Sequence, residues 1–274
     1  MTQGQPYAEV IGDPILQSKS PTIHGFWIEQ LGLDARYGRC HVMADDLENY
    51  LAQRRQDADW RGCNVTMPHK QAVLSLLDAV DPVAERIGAV NTIVRDMQGG
   101  LTGYNTDAPG FFEPLAGRQF GTATVIGAGG AARAVLVALK NAGTRWVSIQ
   151  NRSVDKAEAL LAELGVEGGA YPLGSEVPSA DLLVNTSALG MAGQPPLPPL
   201  LDHVARAGVV YDIVTTPLDT ALLQDARESG LTTIDGLSML IGQADHAFGR
   251  FFGIRPRREA DAELRKRIFG SGEV

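Results

Sequence analysis

Between Thr124 and Ala134 the chain reads TVIGAGGAARA, small apolar residues that break into glycines and then resume with helical character. Such a run folds as a strand, a tight turn and a helix. Gly127, Gly129 and Ala132 stand in the order G-x-G-x-x-A. The first glycine permits the turn, the second lets a pyrophosphate approach the backbone, and the third small residue lets the helix pack close to the strand. The helix expected over Gly130 to Asn141 points its unpaired N–H groups and its positive dipole end into the loop. Gly127, Ala128, Gly129, Gly130 and Ala131 are therefore candidate ligands of an anion.

Glycines also occupy tight turns that hold no ligand, so the residues that follow carry the decision. Arg145 to Gln150 (RWVSIQ) reads as a second strand and completes a βαβ unit. At its end, in the ribose-binding position roughly 20 residues past the glycines, stand Asn151, Arg152 and Ser153, with Lys156 nearby and no Asp or Glu. An acid there would accept from a free 2′-hydroxyl. Arg152 and Lys156 instead suit a 2′-phosphate, by charge and by the guanidinium fork. The expected cofactor is NADP(H) rather than NAD(H). Structurally, Ser153 is also an N-cap for a helix over Val154 to Leu164, with Arg152 and Lys156 on its solvated face. Capping and cofactor binding are compatible.

The chain has 274 residues, enough for two domains, with 44% hydrophobic and 20% charged residues, the make-up of a soluble globular protein. A formal net charge of −8 argues against a nucleic-acid or anionic-membrane surface, so any anionic ligand must be held by local groups. Cys40 and Cys63 sit in no redox or metal spacing, and the five histidines form no H-x-x-x-H pair; no metal is expected. The start, MTQGQPYAEV, lacks the basic and apolar regions of a signal peptide, and no run approaches the ~18 apolar residues of a membrane span. A cytoplasmic location is expected.

In chain order, Tyr7 to Ile11 reads as a strand ending in the turn Gly12-Asp13-Pro14. Ser20 before Pro21 is expected to N-cap a helix that carries Ile23, Phe26, Trp27 and Leu31 on one face and stops at Gly32. The Ser18 and Ser20 hydroxyls near that N-terminus would welcome a carboxylate. Arg36 to Val42 is a strand, Asp45 to Gln53 a helix, and Trp60 to Thr66 a strand that delivers Asn64 and Thr66 to its C-terminal end. Ligands of open α/β sheets bind beyond such ends. Met67-Pro68-His69-Lys70 is expected to open a further helix, with Lys70 either an ordinary solvated lysine or part of a site. Asp81-Pro82 caps a short helix. Ala89 to Val94 and Leu101 to Thr106 form a hairpin that places Asn91, Asn105, Thr106 and Asp107 at strand ends and breaks, with Asp107 as N-cap of a helix holding Phe111, Phe112 and Leu115. Beyond the glycine loop, Asp181 to Asn185 and Gly208 to Asp212 are buried parallel strands. The Pro195 to Pro199 loop fits either a lid or a rigid connection. Thr216-Pro217 is expected to cap a helix to Ser229, Thr232 to Ile234 is a last strand, and helices follow over Gly236 to Phe252 and Glu259 to Ile268.

These pieces resemble the shikimate dehydrogenase family over essentially the whole chain. The resemblance is carried, in order, by Ser18-Lys19-Ser20-Pro21, Asn64-Val65-Thr66-Met67-Pro68-His69-Lys70, Gly88-Ala89-Val90-Asn91-Thr92 and Asn105-Thr106-Asp107. It continues through Gly127 to Ala131, Asn151-Arg152-Ser153, and Asp235 to Leu240 with Gln243. It implies an α/β protein of two domains: a substrate domain over 1–108 completed by helices in 237–274, and a Rossmann-like NADP-binding domain over 109–236. It further implies that Ser18 and Ser20 hold a substrate carboxylate, that Thr66, Asn91, Asp107 and Gln243 hold its hydroxyls and carbonyl region, and that Lys70 and Asp107 are the catalytic pair. Ile213 and Gly236 join the cofactor-binding residues. The reaction implied is reversible reduction of 3-dehydroshikimate to shikimate by NADPH, with Lys70 as general acid/base. The family run D-x-x-Y-x-P here reads Asp212-Ile213-Val214-Thr215-Thr216-Pro217, so Thr215, much shorter, stands at the tyrosine position. A bridging water, weaker substrate binding or a related substrate are the consequences open to it.

A quinate or aminoshikimate dehydrogenase paralogue, a noncatalytic NADP-binding regulatory module and an NADP enzyme of folate one-carbon metabolism are the competing readings. Arg152 disfavours an NAD-preferring quinate enzyme, Lys70 and Asp107 disfavour the module, and the serine pair disfavours the folate enzyme. The partners expected are the small-molecule substrate alone, with no nucleic acid or membrane, in a monomer or homodimer.

Overall fold

Alternating strands and helices organise the chain into two units, one running to Thr106 and resuming at Gln243, the other spanning Asp107–Gly242. The computed structural model describes residues 4–269.

The first unit is built on a mixed sheet. Its elements are β1 (Tyr7–Gly12), α1 (Ser20–Leu31), β2 (Arg36–His41), α2 (Leu47–Gln56), β3 (Trp60–Val65), β4 (Ala79–Val80), α3 (Pro82–Ile87), β5 (Thr92–Arg95) and β6 (Leu101–Tyr104). The strand order is β2-β1-β3-β5-β6-β4. β1 pairs parallel with β2 and β3, whereas β3, β5 and β6 pair antiparallel. Side chains alternate across the sheet, as the period of two requires. Ile11, Val65, Ile93 and Leu101 bury one face together with Tyr50, Leu51 and Trp60, while Ala8 on the other face packs against Ala247 and Phe251. Buried Glu9 is satisfied by the Tyr50 hydroxyl at 2.8 Å and by Arg54 Nε at 2.7 Å.

The second unit is a Rossmann sheet. It comprises α4 (Asp107–Phe112), β7 (Thr122–Ile126), α5 (Gly130–Asn141), β8 (Trp146–Asn151), α6 (Val154–Leu164), β9 (Gly168–Pro172), β10 (Ala180–Asn185), β11 (Val204–Asp212), α7 (Ala221–Glu228), β12 (Thr232–Ile234) and the start of α8 (Gly236–Phe252). All pairings are parallel in the order β12-β11-β10-β7-β8-β9, so β7 and β10 flank the point where the winding reverses. Val135, Leu136 and Leu139 of α5 are fully buried. Each contributes about 1.5–3 kcal/mol by leaving water. Residues 243–252 of α8 and then α9 (Asp261–Phe269) belong to the first unit.

Several local expectations are corrected. Ser20 is the first residue of α1 rather than its cap; Lys19 holds the cap position, and the Ser18 hydroxyl accepts from the Ser20 amide at 3.4 Å. Met67 to Lys70 forms turns, and the helix after them is a single 3₁₀ stretch, Ala72–Leu76. Asp107 likewise opens α4 instead of capping it. That helix ends at Phe112, and Leu115 lies in a separate 3₁₀ turn with Pro114 at its start, a residue that lacks the N–H an α-helix needs. Thr220, not Thr216, caps α7, with its side chain accepting from the Leu223 amide. β4 and β9 have no counterpart among the expected strands. β9 begins with two glycines and ends in proline, and a Cβ on Gly168 would lie 2.0 Å from the Val147 carbonyl. Sequence propensity cannot mark a strand held by so close an approach to its neighbour.

Candidate functional site

In the first unit, the polar residues delivered by β3, β5 and the end of the hairpin converge on Asn91. Its backbone N–H donates to the Tyr104 carbonyl at 3.0 Å and its own carbonyl accepts from Val65 at 2.7 Å, so backbone pairing on both sides fixes it. Its side-chain oxygen accepts from the Thr106 amide at 2.7 Å, and its nitrogen donates to Thr106 Oγ1 at 3.0 Å. Thr106 Oγ1 reaches on to Gln243 Oε1 at 3.4 Å. On the other side, Asn64 Nδ2 donates to the Asn91 carbonyl at 3.3 Å and to Thr92 Oγ1 at 3.1 Å. The result is a buried string running Asn64, Thr92, Asn91, Thr106, Gln243. A buried amide costs stability unless paired, so a fully paired string is rigid and presents its spare lone pairs in fixed directions.

Lys70 is half-buried and its carbonyl accepts from Val90 at 2.8 Å, which puts its backbone beside the Asn91 strand. The turn that bears it is pinned by His69, fully buried, whose Nε2 donates to the Val42 carbonyl at 2.7 Å. Thr66 is half-buried, its amide donating to Ile11 at 2.9 Å. Ser20 is buried and Ser18 half-buried, and the Ser18 carbonyl accepts two bonds from Arg39, at 2.7 and 3.2 Å. Among the expected substrate residues, the first unit thus joins Asn91 and Gln243 through Thr106. Thr106, Thr92 and Asn64 stand outside the binding set that the sequence suggests; their placement at strand ends beside Asn91 is the signal that could have found them.

In the second unit the glycine loop leaves β7 at Gly127, whose φ of 99° favours a residue without a side chain. A Cβ there would meet Thr186 Oγ1 at 3.2 Å. Thr186 ties the two strands of the switch point, its hydroxyl donating to Ile126 at 2.6 Å. Gly129 and Gly130 are exposed, and a Cβ on either would meet no protein atom within 4 Å, so the space over the α5 N-terminus is clear for a ligand. Ala128 is buried and Ala131 half-buried. At the end of β8, Arg152 and Lys156 are exposed and have no hydrogen-bond or ion-pair partner among the described residues, while Asn151 Nδ2 donates to the Ser153 carbonyl at 2.8 Å. Ser153 is the N-cap of α6, without a side-chain capping bond. The residues present fit a phosphorylated dinucleotide: a clear cradle, a helix N-terminus and two unengaged cations.

Ile213 and Gly236, distant in sequence, meet. A Cβ on Gly236 would lie 2.4 Å from the carbonyls of Ile213 and Val214, so α8 starts where no side chain fits. Asp235 secures that start by accepting from the Ser238 amide and hydroxyl, both at 2.9 Å. Buried Asp212 orders the segment ahead of half-buried Thr215. It accepts from Asn185 Nδ2 at 2.9 Å, the Val214 amide at 3.0 Å and the Thr220 hydroxyl at 2.7 Å, and burial raises its pKa against those three bonds. Asp107, also buried, is the first residue of α4, which is held by Phe111 stacked on Tyr211 at 5.0 Å. A separate cavity of about 420 Å³ lies between the proline-rich loop and α7 and contains none of the expected site residues. Among the described residues no group of three or more His, Cys, Asp or Glu could hold a metal, and no helix is long and apolar enough to cross a membrane.

A Rossmann sheet with a clear phosphate cradle, joined in one chain to a second α/β unit carrying a buried string of hydroxyls and amides, defines a two-unit nucleotide-dependent oxidoreductase. Comparison with known proteins narrows the class. Residues 10–93 match the shikimate dehydrogenase substrate binding domain, and residues 114–186 match the shikimate/quinate 5-dehydrogenase family. The NADP(+) shikimate dehydrogenase of Sphingopyxis alaskensis is 55% identical over 95% of this chain and 96% of its own. The chain belongs to the shikimate dehydrogenase family. Its fold superposes on shikimate 5-dehydrogenase from Thermus thermophilus, solved with NADP(H) and shikimate, with a TM-score of 0.86 and 38% identity, covering 96% of this chain and 100% of the other. It is also similar to a quinate dehydrogenase from Corynebacterium glutamicum solved with NAD, with a TM-score of 0.86 and 30% identity, covering 96% and 98% of the two chains.

Proposed function

We propose that this chain catalyses the reversible, NADP(H)-dependent reduction of 3-dehydroshikimate to shikimate. The observation that carries the reading is the buried string from Asn64 to Gln243: a polyhydroxylated ring acid needs an array of fixed, paired amides and hydroxyls, and the string supplies one beside the Lys70 turn.

The residues to 108, completed by those from 237, form the substrate domain, and 109–236 form the cofactor domain. When bound, NADPH supplies a hydride to the substrate ketone. Gly127 to Ala131 receive the pyrophosphate, and Arg152 and Lys156, with Asn151 and Ser153, receive the 2′-phosphate by charge-assisted bonds. Ile213 and Gly236 line the cofactor through backbone that admits no side chain. Ser18 and Ser20 hold the substrate carboxylate, while Thr66, Asn91, Asp107 and Gln243 hold its oxygens. As the ketone is reduced, the Lys70 ammonium donates a proton to the developing alkoxide. In the reverse direction its neutral amine takes the hydroxyl proton, with Asp107 orienting it. Thr215 offers a hydroxyl toward the carboxylate side through a water.

Arg152 supports NADP(H) over the NAD of the quinate enzyme. The protein acts as a monomer or homodimer in the cytoplasm, which its net charge of −8 and two free cysteines support. The test is the initial rate with shikimate and with quinate, each with NADP⁺ and NAD⁺. Shikimate with NADP⁺ is expected to be fastest by at least about tenfold in kcat/KM, a difference of ~1.4 kcal/mol. Preference for quinate would replace this reading with the paralogue, and NADP⁺ binding without any turnover would replace it with the regulatory module.

A further inference from the structure

Tyr37, on β2 at the edge of the first sheet, belongs to none of the motifs that define the site. Its ring stacks on that of His24 from α1, with centroids 3.9 Å apart and planes 2° apart. His24 is fully buried in a box of aromatic rings, Trp27 and Phe248 each 5.8 Å away and Phe251 6.1 Å away. Neither imidazole nitrogen has a hydrogen-bond partner among the described residues. The imidazole therefore serves as a flat wall against which the phenol is held, and burial pushes its pKa down to about 3, which keeps it neutral.

A ring clamped in this way fixes its hydroxyl. Tyr37 Oη donates to Asn64 Oδ1 at 2.6 Å. Because Asn64 Nδ2 is committed to the Asn91 carbonyl and Thr92, only an acceptor can face Tyr37, and the amide has a single orientation. Tyr37 thereby joins the two halves of the surface: its ring packs on α1, the helix that Ser20 begins, and its hydroxyl holds the string that ends at Gln243. Two residues along the same strand, and so on the same face, Arg39 grips the Ser18 carbonyl. β2 thus touches the serine segment at Ser18 and α1 at His24.

We propose that Tyr37 is a positioning residue for the substrate, setting the spacing between the Ser18/Ser20 end and the Asn64–Asn91 end of the binding surface through its ring on His24 of α1 and its bond to Asn64. The proposal rests on the reading that this surface binds shikimate.

Tyr37→Phe keeps the ring against His24 and removes only the hydroxyl. The experiment compares wild type, Y37F, N64A and the double variant for KM toward shikimate and toward NADP⁺, kcat and Tm. In Y37F, KM for shikimate is expected to rise about tenfold, the cost of leaving a buried acceptor unpaired. KM for NADP⁺ should stay within about twofold and Tm within about 4 °C. The double variant should be no worse than N64A, since coupled residues are not additive. An unchanged KM for shikimate in Y37F, additive losses in the double variant, or parallel rises in both KM values with a fallen Tm would each overturn the positioning role while wild-type turnover of shikimate leaves the functional reading standing. A wild type that does not turn over shikimate overturns that reading and this proposal with it.

Discussion

Asn91 and Thr106 satisfy one another: the Thr106 amide donates to Asn91 Oδ1 at 2.7 Å, Asn91 Nδ2 donates to Thr106 Oγ1 at 3.0 Å, and the Thr106 hydroxyl lies 3.1 Å from the same Oδ1. The pair closes the end of the hairpin and sets the last residue before the second unit begins at Asp107. Asn91→Ala strands the buried Thr106 amide. Stability should fall by about 2 kcal/mol, and, with Asn91 in its proposed role as an amide partner of the substrate, kcat/KM for shikimate by more than that loss explains. Urea denaturation alongside steady-state kinetics checks it; an Asn91→Ala enzyme with wild-type kcat/KM would remove Asn91 from the substrate set.

Lys70 is assigned a proton and a charge, and two variants separate them. Lys70→Ala should lower kcat about 10²–10⁴-fold with NADPH affinity retained. Lys70→Arg keeps a cation that does not give up its proton near neutral pH, so it should recover part of substrate affinity without recovering turnover. Fluorescence titration with NADPH gives the affinity. Loss of cofactor binding in both variants would show that Lys70 supports the fold rather than the reaction.

The glycine loop made the second unit legible. α5 and α6 occupy the spans expected, Gly130–Asn141 and Val154–Leu164, with Ser153 at the N-cap of α6, and the strand order follows from one βαβ unit repeated. The hairpin after Ile93 and the span of α8 were equally readable, because turn glycines and an apolar face at helical period are local signals. What escaped the sequence depends on neighbours far along the chain. Ser18 rather than Ser20 engages the first turn of α1, with Arg39 of β2 holding the segment, and Thr220 caps α7 while also donating to Asp212. Tyr37 and Asn64, 27 apart, show no pairing until the sheet brings them together. The expected site residues were legible as motifs; the residues that hold them in place were not.

Arg152 is exposed and unengaged among the described residues, so its removal should cost the protein nothing but a ligand contact. Arg152→Ala is expected to raise KM for NADP⁺ about 10- to 100-fold, the worth of a charge-assisted bond to phosphate. KM for NAD⁺ should change little. An unaltered ratio of the two would place the 2′-phosphate elsewhere.

His24 makes stability depend on pH in a known direction. Its pKa is lowered to about 3 by burial, from 6.5 for the free side chain, so below pH 6.5 the unfolded chain takes up a proton that the folded chain refuses. The stability that neutral His24 permits is present above pH 6.5 and is lost as pH falls toward 3, by about 1.4 kcal/mol for each unit once the unfolded imidazole is charged. His24→Phe keeps a ring among Trp27, Tyr37, Phe248 and Phe251 and removes two buried nitrogens that lack partners. The variant should therefore match or exceed wild-type stability at about pH 7.5, and its advantage should widen by about 1–2 kcal/mol on going to about pH 5. Paired urea titrations at the two pH values measure this difference directly. A gap between the proteins that stays constant with pH would mean that His24 already carries its proton in the folded chain, and the flat, neutral wall behind Tyr37 would have to be abandoned.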